Sequence, residues 1–162
     1  MYISVFKDEE LFDAYLNIAE LSLGGDFLPW FRDDLLKSFN YTKELPDDFT
    51  LPRFPWVLYA LYEDDGTLVG ACALKEDHHA FDAAHIDFVG IRWDKQGQGY
   101  GKFLIHAMLD EIKKHSNLRS LILSTSPDQG FYEHIGMKKI GEMDASGHKR
   151  IFYALAVSDI PL

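Results

Sequence analysis

The sequence predicts a mixed α/β (α+β) sandwich, with helices against a twisted sheet, as a single domain over residues 1–162. The 162 residues are 47% hydrophobic and 26% charged, which is ordinary usage for one globular domain with a sizeable core. Short alternating or apolar runs typical of strands are interspersed with segments whose apolar residues recur at helical spacing. Turn residues separate these segments, so each one predicts its own element.

The first 55 residues predict one strand and two helices. Residues 2–6 form a short apolar strand, and Asp8-Glu9-Glu10 places acidic side chains in the first turn of a helix. A glycine pair ends that helix. Asp26 is a candidate cap for a second helix with Pro29 near its start. The stretch 40–55 is then predicted to be a loop.

The rest of the chain predicts strands and helices that alternate. Residues 56–62 and 68–75 are strands joined by the hairpin turn Asp64-Asp65-Gly66-Thr67, and 84–92 is the next strand. The later elements are a helix from about Gly99 to the polar break at 116–117, a strand at 121–124, a short helix at 127–134, and strands at 137–143 and 149–157.

Charge and cysteine content exclude several classes of function. The net charge is −10, and residues 1–80 hold 6 Lys or Arg against 16 Asp or Glu, so the excess acidity lies in the N-terminal half. The absence of a basic stripe argues against nucleic acid as a partner. Cys72 is the single cysteine and has no disulfide partner, and no apolar run is long enough to cross a membrane. We therefore expect a cytoplasmic protein.

The run Gln96-Gly97-Gln98-Gly99-Tyr100-Gly101-Lys102 joins a predicted buried strand to an amphipathic helix. Its three glycines let the backbone approach a ligand, and the first turn of the helix offers unpaired N–H groups to an anion. A Walker loop needs Ser or Thr where Phe103 stands, and a dinucleotide fingerprint needs its third glycine one residue later. The run therefore predicts a phosphate loop of another kind, for a nucleotide-like cofactor.

The Gln-x-x-Gly-x-Gly pattern of this run resembles the coenzyme A pyrophosphate loop of the GCN5-related N-acetyltransferase (GNAT) superfamily. Val89-Gly90-Ile91 is similar to the family's splayed central strand, whose backbone pairs with pantetheine and the acetyl carbonyl. Residues 131–137 are similar to its Phe-Tyr-Glu-x-x-Gly-Phe segment, whose tyrosine lies beside the cofactor sulfur. The resemblance covers residues 56–156, with departures at Trp93, Thr125 and Met137 that remove no catalytic group.

The resemblance implies a mixed, twisted sheet of six or seven strands flanked by helices, and acetyl transfer from acetyl-CoA to a primary amine by direct attack in a ternary complex. The coenzyme A phosphates would meet Lys102, Lys95 or Arg92. The residues that the resemblance assigns to cofactor binding are Val89, Gly90, Ile91, Gln96, Gly97, Gln98, Gly99, Tyr100, Gly101, Lys102 and Thr125.

Acetyl transfer needs a base, a donor to the oxyanion and a proton for the leaving thiolate. Because strands alternate with period two, we expect one strand face to carry His85, Asp87, Val89 and Ile91. The resemblance makes His85 the first candidate base, with Asp87 as orienter or alternative base. Tyr132 is the candidate acid, since its ordinary pKa is about 10 against about 8.5 for a thiol. All three also fit ordinary structural roles.

Several alternatives stay open at this level. The acceptor is a small-molecule amine, a polyamine, a protein N-terminus or a lysine, and the acidic half either attracts a cationic acceptor or is simply a solvated surface. Transfer of a longer acyl group, or to a hydroxyl, is also open. A noncatalytic coenzyme A binding or sensing domain is the rival from another class, although Tyr132 and His85 argue against it. Homodimers are common in the family, but no interface is evident.

Two further residue groups give only weak indications of function. The spacing of His78, His79, Asp82 and His85 matches no common zinc site, so we predict no metal. An aromatic set either lines an acceptor pocket or belongs to the core: Phe27, Trp30, Phe31, Tyr41, Phe54 and Trp56.

Overall fold

The computed structural model describes residues 1–24, 28–77, 82–126, 130–145 and 147–157. Within these residues seven strands form one sheet: β1 (Tyr2–Val5), β2 (Val57–Tyr62), β3 (Leu68–Glu76), β4 (Ala83–Ile91), β5 (Ser120–Thr125), β6 (Lys138–Ala145) and β7 (His148–Ala156). Their order is β1-β2-β3-β4-β5-β7-β6. All neighbours are antiparallel except β4 and β5, which are parallel. The predicted mixed fold is confirmed.

Four α-helices accompany the sheet in the described part of the chain: α1 (Phe12–Glu20), α2 (Phe31–Thr42), α3 (Tyr100–His115) and α4 (Phe131–His134). Short 3-10 turns at Glu9–Leu11 and Leu21–Leu23 flank α1, and another at Trp93–Lys95 precedes the glycine run. No described helix combines the length and hydrophobicity needed to cross a lipid bilayer.

Each face of the sheet carries its own hydrophobic cluster. The helix α3 buries Leu104, Ile105 and Met108 against one face, and α1 and α2 cover the other. The Tyr15 hydroxyl of α1 lies 2.9 Å from the carbonyl oxygens of both Tyr59 and Cys72, which ties the helix to the sheet. Cys72 itself is fully buried, as expected for a small residue in the middle of a strand.

The helix α2 continues to Thr42, beyond Asn40, where the sequence predicts a loop. Buried hydrogen bonds explain the extension. The Thr42 hydroxyl accepts from the Leu58 N–H at 3.1 Å, and the Ser38 hydroxyl accepts from the Trp56 N–H at 3.1 Å. These bonds join the end of the helix to the start of β2, and residues so distant along the chain leave no local signal.

A bulge in β4 disturbs the alternation of its side chains. Asp87 lies opposite Ala73 and Gly90 lies opposite Ala71, so Phe88 and Val89 share the single partner position of Cys72. Phe88 has φ of 55°. An inserted residue of this kind bends the strand and shifts the side chains that follow to the other face.

The bulge makes one expectation wrong. His85 and Asp87 do not share a face with Val89 and Ile91. Val89 and Ile91 pack with the cluster under α3. His85 contacts Trp56, which belongs to the cluster under α1 and α2, and Asp87 lies opposite a residue of that same cluster. The strand therefore shows different side chains to the two layers.

The strands β4 and β5 separate after a short stretch of pairing. Their register covers Ala83, Ala84 and His85 of β4, whereas β5 stays paired with β7 as far as Thr125. From Ile86 onward the β5-facing edge of β4 has no strand partner in the described chain. The splayed central strand expected from the resemblance is present, and it opens a gap in the middle of the sheet.

Candidate active site

A cleft of about 620 Å³ lies between β4, the glycine run, the start of α3 and α4, and we call it the glycine-loop cleft. The helix α4 contributes Phe131, Tyr132 and His134 to its wall. The predicted cofactor residues that line the cleft are Val89, Ile91, Gln96, Gly97, Gly99, Tyr100, Gly101 and Lys102. The structure thus brings together most of the residues that the sequence assigned to cofactor binding.

The backbone of the glycine run suits an anion. Gly97 and Gly99 have φ of 77° and 87°, a region that favours glycine, and a Cβ at either position would enter open space. Residues 96–99 of the run are exposed, and the first amides of α3 lack intrahelical partners by helix geometry. The run fits the diphosphate of a coenzyme A moiety on this ground.

Side-chain contacts fix the shape of the run. The Gln96 amide donates to the Ile91 carbonyl at 3.0 Å and so closes the loop onto the end of β4. The Tyr100 hydroxyl donates to Glu63 at 3.1 Å, and the Lys95 ammonium lies 2.7 Å from the same carboxylate. Hydrogen bonds from Lys95 and Tyr100 lower the pKa of Glu63. Glu63 of the β2–β3 hairpin therefore fixes the glycine run in place through Lys95 and Tyr100.

The basic residues near the loop are not equivalent. Arg92 pairs with Asp94 at 2.6 Å, and Lys95 pairs with Glu63. Lys102 is exposed and forms no ion pair with any described residue. Of the three cations predicted to meet coenzyme A phosphates, Lys102 is the one whose charge is not already matched by a neighbour.

Three predicted cofactor residues lie outside the lining of the glycine-loop cleft, as far as the described chain shows. A Cβ on Gly90 would lie 2.1 Å from the Ile18 carbonyl oxygen, so this glycine allows close packing of α1 on β4. The Gln98 amide lies 3.5 Å from the Asp94 carbonyl. Thr125 lines a different pocket.

That second pocket, of about 110 Å³, opens where β4 and β5 separate, and we call it the β4–β5 pocket. Its polar lining comes from distant parts of the chain: Ser22, Asp87, Ser124, Thr125 and Arg150. Val89 and Tyr132 line both this pocket and the glycine-loop cleft. The two cavities therefore meet at these two residues.

Tyr132 is held at the junction by aromatic neighbours. Its ring packs edge-on against Phe131 with centroids 5.0 Å apart, and its centroid lies 5.6 Å from that of Tyr153 on β7. The side chain is half-buried. The candidate acid thus has a defined position between the two cavities.

The two candidate bases differ in their surroundings. His85 Nδ1 lies 3.3 Å from the buried carboxylate of Asp77, and its ring packs edge-on against Trp56. Burial lowers the pKa of His85, although the charges of Asp87 and Asp77 oppose this. His85 lines neither cavity in the described chain.

Asp87 lines the β4–β5 pocket itself. Its Oδ1 accepts from the Phe88 N–H at 2.7 Å. Burial raises the pKa of the Asp87 carboxyl, and the Phe88 N–H and the nearby charges of His85 and Arg150 partly offset this effect. A carboxylate with a raised pKa is a better proton acceptor than an ordinary surface aspartate.

Sequence reasoning missed Asp77, Ser22 and Arg150. Asp77 was recoverable, because antiparallel pairing of β3 with β4 places Lys75 opposite His85 and so brings Asp77 close. Ser22 and Arg150 reach the pocket through the packing of α1 and the register of β7 against β5, which no local pattern reveals.

The remaining predicted groups divide as follows. Within the described ranges no group of three or more His, Cys, Asp or Glu is placed to hold a metal ion, while His78 and His79 lie outside those ranges. Of the aromatic set, Phe31 and Trp56 are buried in the core, and Trp30 and Phe54 are exposed. Asp26, Phe27, Pro127 and Asp128 also lie outside the described residues.

Comparison with known proteins agrees with this architecture. An aminoglycoside 6'-N-acetyltransferase complexed with coenzyme A superposes with a TM-score of 0.73 at 15% identity, covering 100% of this chain and 99% of that one. The Vibrio cholerae spermidine N-acetyltransferase bound to CoA and spermine gives 0.72 at 15%, covering 98% and 96%. The Escherichia coli ribosomal-protein-S18-alanine N-acetyltransferase gives 0.64 at 17%, covering 96% and 93%.

Sequence comparison gives the family directly. No curated protein matches the chain. Residues 25–137 match the model of the Acetyltransferase (GNAT) family, which is more than half of the chain and includes β4, the glycine run and α4. The prediction made from Gln96, Gly99 and Gly101 is confirmed: the chain belongs to the GNAT acetyltransferase family.

Proposed function

We propose that this protein is an N-acetyltransferase that transfers acetyl from acetyl-CoA to a primary amine by direct attack within a ternary complex. One observation carries the proposal. The glycine-loop cleft and the β4–β5 pocket meet at Val89 and Tyr132, so a cofactor in one cavity and an amine in the other would approach each other at the same point.

The cofactor would be held mainly by the glycine run. Amides from residues 97–102 would bind the diphosphate, with Lys102 adding positive charge. The unpaired edge of β4 after His85 would pair with the extended pantetheine arm. When bound, acetyl-CoA supplies an acetyl group activated as a thioester. No covalent intermediate on the protein is required.

The base would be Asp87, with His85 as its neighbour. Asp87 lines the pocket that an amine would enter, and burial raises its pKa, which makes it a stronger proton acceptor than an ordinary aspartate. His85, which lies on the same face of β4 and 3.3 Å from Asp77, would pass a proton away from Asp87. This assignment reverses the order expected from sequence, in which His85 was the first candidate.

The acid would be Tyr132. Its phenol stands at the junction of the cavities, and the O–H is a donor that can give its proton to a departing thiolate. The backbone N–H of Val89 is the candidate donor to the oxyanion, because Val89 is the β4 residue that lines both cavities.

A noncatalytic coenzyme A sensor of the same fold is the rival proposal. It requires only the glycine-loop cleft. The β4–β5 pocket, lined by a half-buried carboxylate and a positioned tyrosine, has no purpose in a sensor, and this observation favours the enzyme.

The test is calorimetric titration of the purified protein with acetyl-CoA and, separately, with NADH, followed by a thiol-release screen over amines. We expect micromolar binding of acetyl-CoA, no binding of NADH, and thiol release with one class of amine. Binding of acetyl-CoA without thiol release on any amine would favour the sensor. Absence of binding would mean that the glycine run does not hold coenzyme A.

A further inference from the structure

We propose that Arg150 makes the β4–β5 pocket selective for amines that carry a carboxylate beside the amino group, as a free amino acid does. The inference rests on the proposed function, because it concerns the acceptor of the same reaction. It narrows the acceptor from amines in general to one chemical class, and it assigns a specificity role to a β7 residue outside the family's glycine run.

The guanidinium of Arg150 is held in place by β5. One of its terminal nitrogens donates to the Ser124 carbonyl at 2.9 Å and to the Ser124 hydroxyl at 3.0 Å. The other lies 3.5 Å from the Ser126 hydroxyl. Arginine has five N–H donors in a planar fork. These contacts leave at least two of them without a partner among the described residues.

Arg150 also has no carboxylate paired with it in the described part of the chain. Asp87 lines the same pocket and its pKa responds to the Arg150 charge, yet the two form no ion pair. A fixed cation with spare donors in a polar pocket matches a carboxylate, which accepts two parallel hydrogen bonds from guanidinium. The ligand that completes the arrangement is an anion.

The β4 side of the pocket supplies the complementary charge through Asp87. Asp87 would receive the amino group while Arg150 holds the carboxylate, so the pocket offers one group of each sign to a zwitterion. Its volume of about 110 Å³ is enough for several water molecules, and so for the head of an amino acid. The hydroxyls of Ser22 and Thr125 lie on the same lining.

The same features disfavour a polyamine. A second ammonium group near Arg150 would be repelled. Residues 1–80 carry the excess of acidic side chains, but none of those acidic residues belongs to the described lining of the pocket. Ser22 is the lining residue that this half of the chain contributes. The expectation that the acidic half attracts a cationic acceptor therefore has no support at the pocket itself.

The test compares matched acceptors and matched variants. Thiol release is measured with acetyl-CoA and the common L-amino acids, their C-terminal amides, and spermidine. The variants are Arg150→Gln and Arg150→Lys, with Lys149→Gln as control, because Lys149 is the adjacent cation on β7 but pairs with Glu142 on β6. Thermal melting and acetyl-CoA affinity check that each variant folds and binds the cofactor.

We expect at least one amino acid to be acetylated with a kcat/KM about 10- to 100-fold above that of its amide, the loss expected for a charge-assisted hydrogen-bond pair. Arg150→Gln should abolish this preference, Arg150→Lys should retain part of it, and Lys149→Gln should leave it intact.

Two outcomes would overturn the inference while leaving the proposed function in place. One is efficient acetylation of amides or spermidine, unchanged in Arg150→Gln. The other is an amino acid preference that survives Arg150→Gln. Failure of the wild-type protein to bind acetyl-CoA would instead overturn the proposed function, and the inference with it.

Discussion

The two cavities that meet at Tyr132 are built in different ways. The glycine-loop cleft takes nine of its lining residues from residues 89–102 and the other four from residues 131–135. The β4–β5 pocket takes its polar lining from the turn after α1 and from β4, β5 and β7. A cavity built from one or two continuous stretches leaves a motif in the sequence, and one assembled by packing does not.

The strand β4 belongs to both cavities, and its bulge separates their roles. Val89 faces the cluster under α3, while His85 and Asp87 face the layer of α1 and α2. The strand thereby presents the proposed cofactor edge and the proposed acid–base pair within a few residues. Variants on the two sides should accordingly fail in different ways.

Replacement of Asp87 should have the largest effect on turnover. Asp87→Asn removes the proposed proton acceptor without changing the size of the side chain, so kcat should fall by about 100- to 10,000-fold while acetyl-CoA affinity stays the same. Steady-state kinetics and calorimetry on one preparation measure both quantities. If turnover in Asp87→Asn equals that of the wild type, Asp87 is not the base.

The pH profile distinguishes the two bases. A base must be deprotonated to act, so kcat/KM should fall as pH decreases through its pKa. Burial raises the pKa of the Asp87 carboxyl and lowers that of His85, so the acid limb should lie above the ordinary aspartate value of about 4 if Asp87 is the base, and below the ordinary histidine value of about 6.5 if His85 is the base. We expect the limb to persist in His85→Gln. Loss of the limb in His85→Gln alone would assign the base to His85.

Substitution at Gly99 should weaken acetyl-CoA binding through the glycine-loop cleft and leave the β4–β5 pocket intact. In Gly99→Leu the side chain would fill the open space above the loop and exclude the diphosphate, so the Kd for acetyl-CoA should rise on the order of 100-fold, as for two lost charge-assisted hydrogen bonds. Gly66→Leu is the control, because Gly66 has φ of 88° and equally open surroundings but lies in the β2–β3 hairpin. Equal affinity in both variants would contradict the loop assignment.

A substitution at Gly90 tests how closely α1 packs on the face of β4 that α1 and α2 cover. In Gly90→Ala the new methyl group would clash with the Ile18 carbonyl, so the free energy of unfolding should fall by about 3 kcal/mol, the upper range for overpacking. Gly141→Ala on β6 meets no neighbouring atom and should change stability little. Urea denaturation of both variants measures the difference; similar values would mean that α1 does not pack as described.

The smallest effect is expected at Glu63, which holds the loop from the hairpin. Glu63→Gln should weaken acetyl-CoA binding only about two- to fivefold, because ion pairs near the protein surface contribute little. Glu142→Gln, which removes a similarly paired carboxylate on β6, should leave the affinity unchanged. A much larger loss at Glu63 would indicate direct contact with the cofactor.

Much of the fold was predictable because its signals are local. Apolar periodicity located the strands and α3 to within about two residues, and Gln96, Gly99 and Gly101 indicated the phosphate loop. The end of α2 at Thr42 was missed because buried hydrogen bonds to β2 extend the helix. The bulge at Phe88 was missed because a two-residue periodicity contains no sign of an insertion. Arg150 was missed because only the register of β7 brings it to the site.

Hydrogen–deuterium exchange with and without acetyl-CoA tests most directly that the cofactor occupies the α3 side of β4. Residues 96–99 are exposed, so their amides should exchange rapidly in the free protein. Acetyl-CoA should slow exchange at residues 96–102 and 131–135 and leave residues 148–152 unchanged. Protection confined to the groove formed by residues 48–51 and 113–118, or no protection anywhere, would contradict the proposed site.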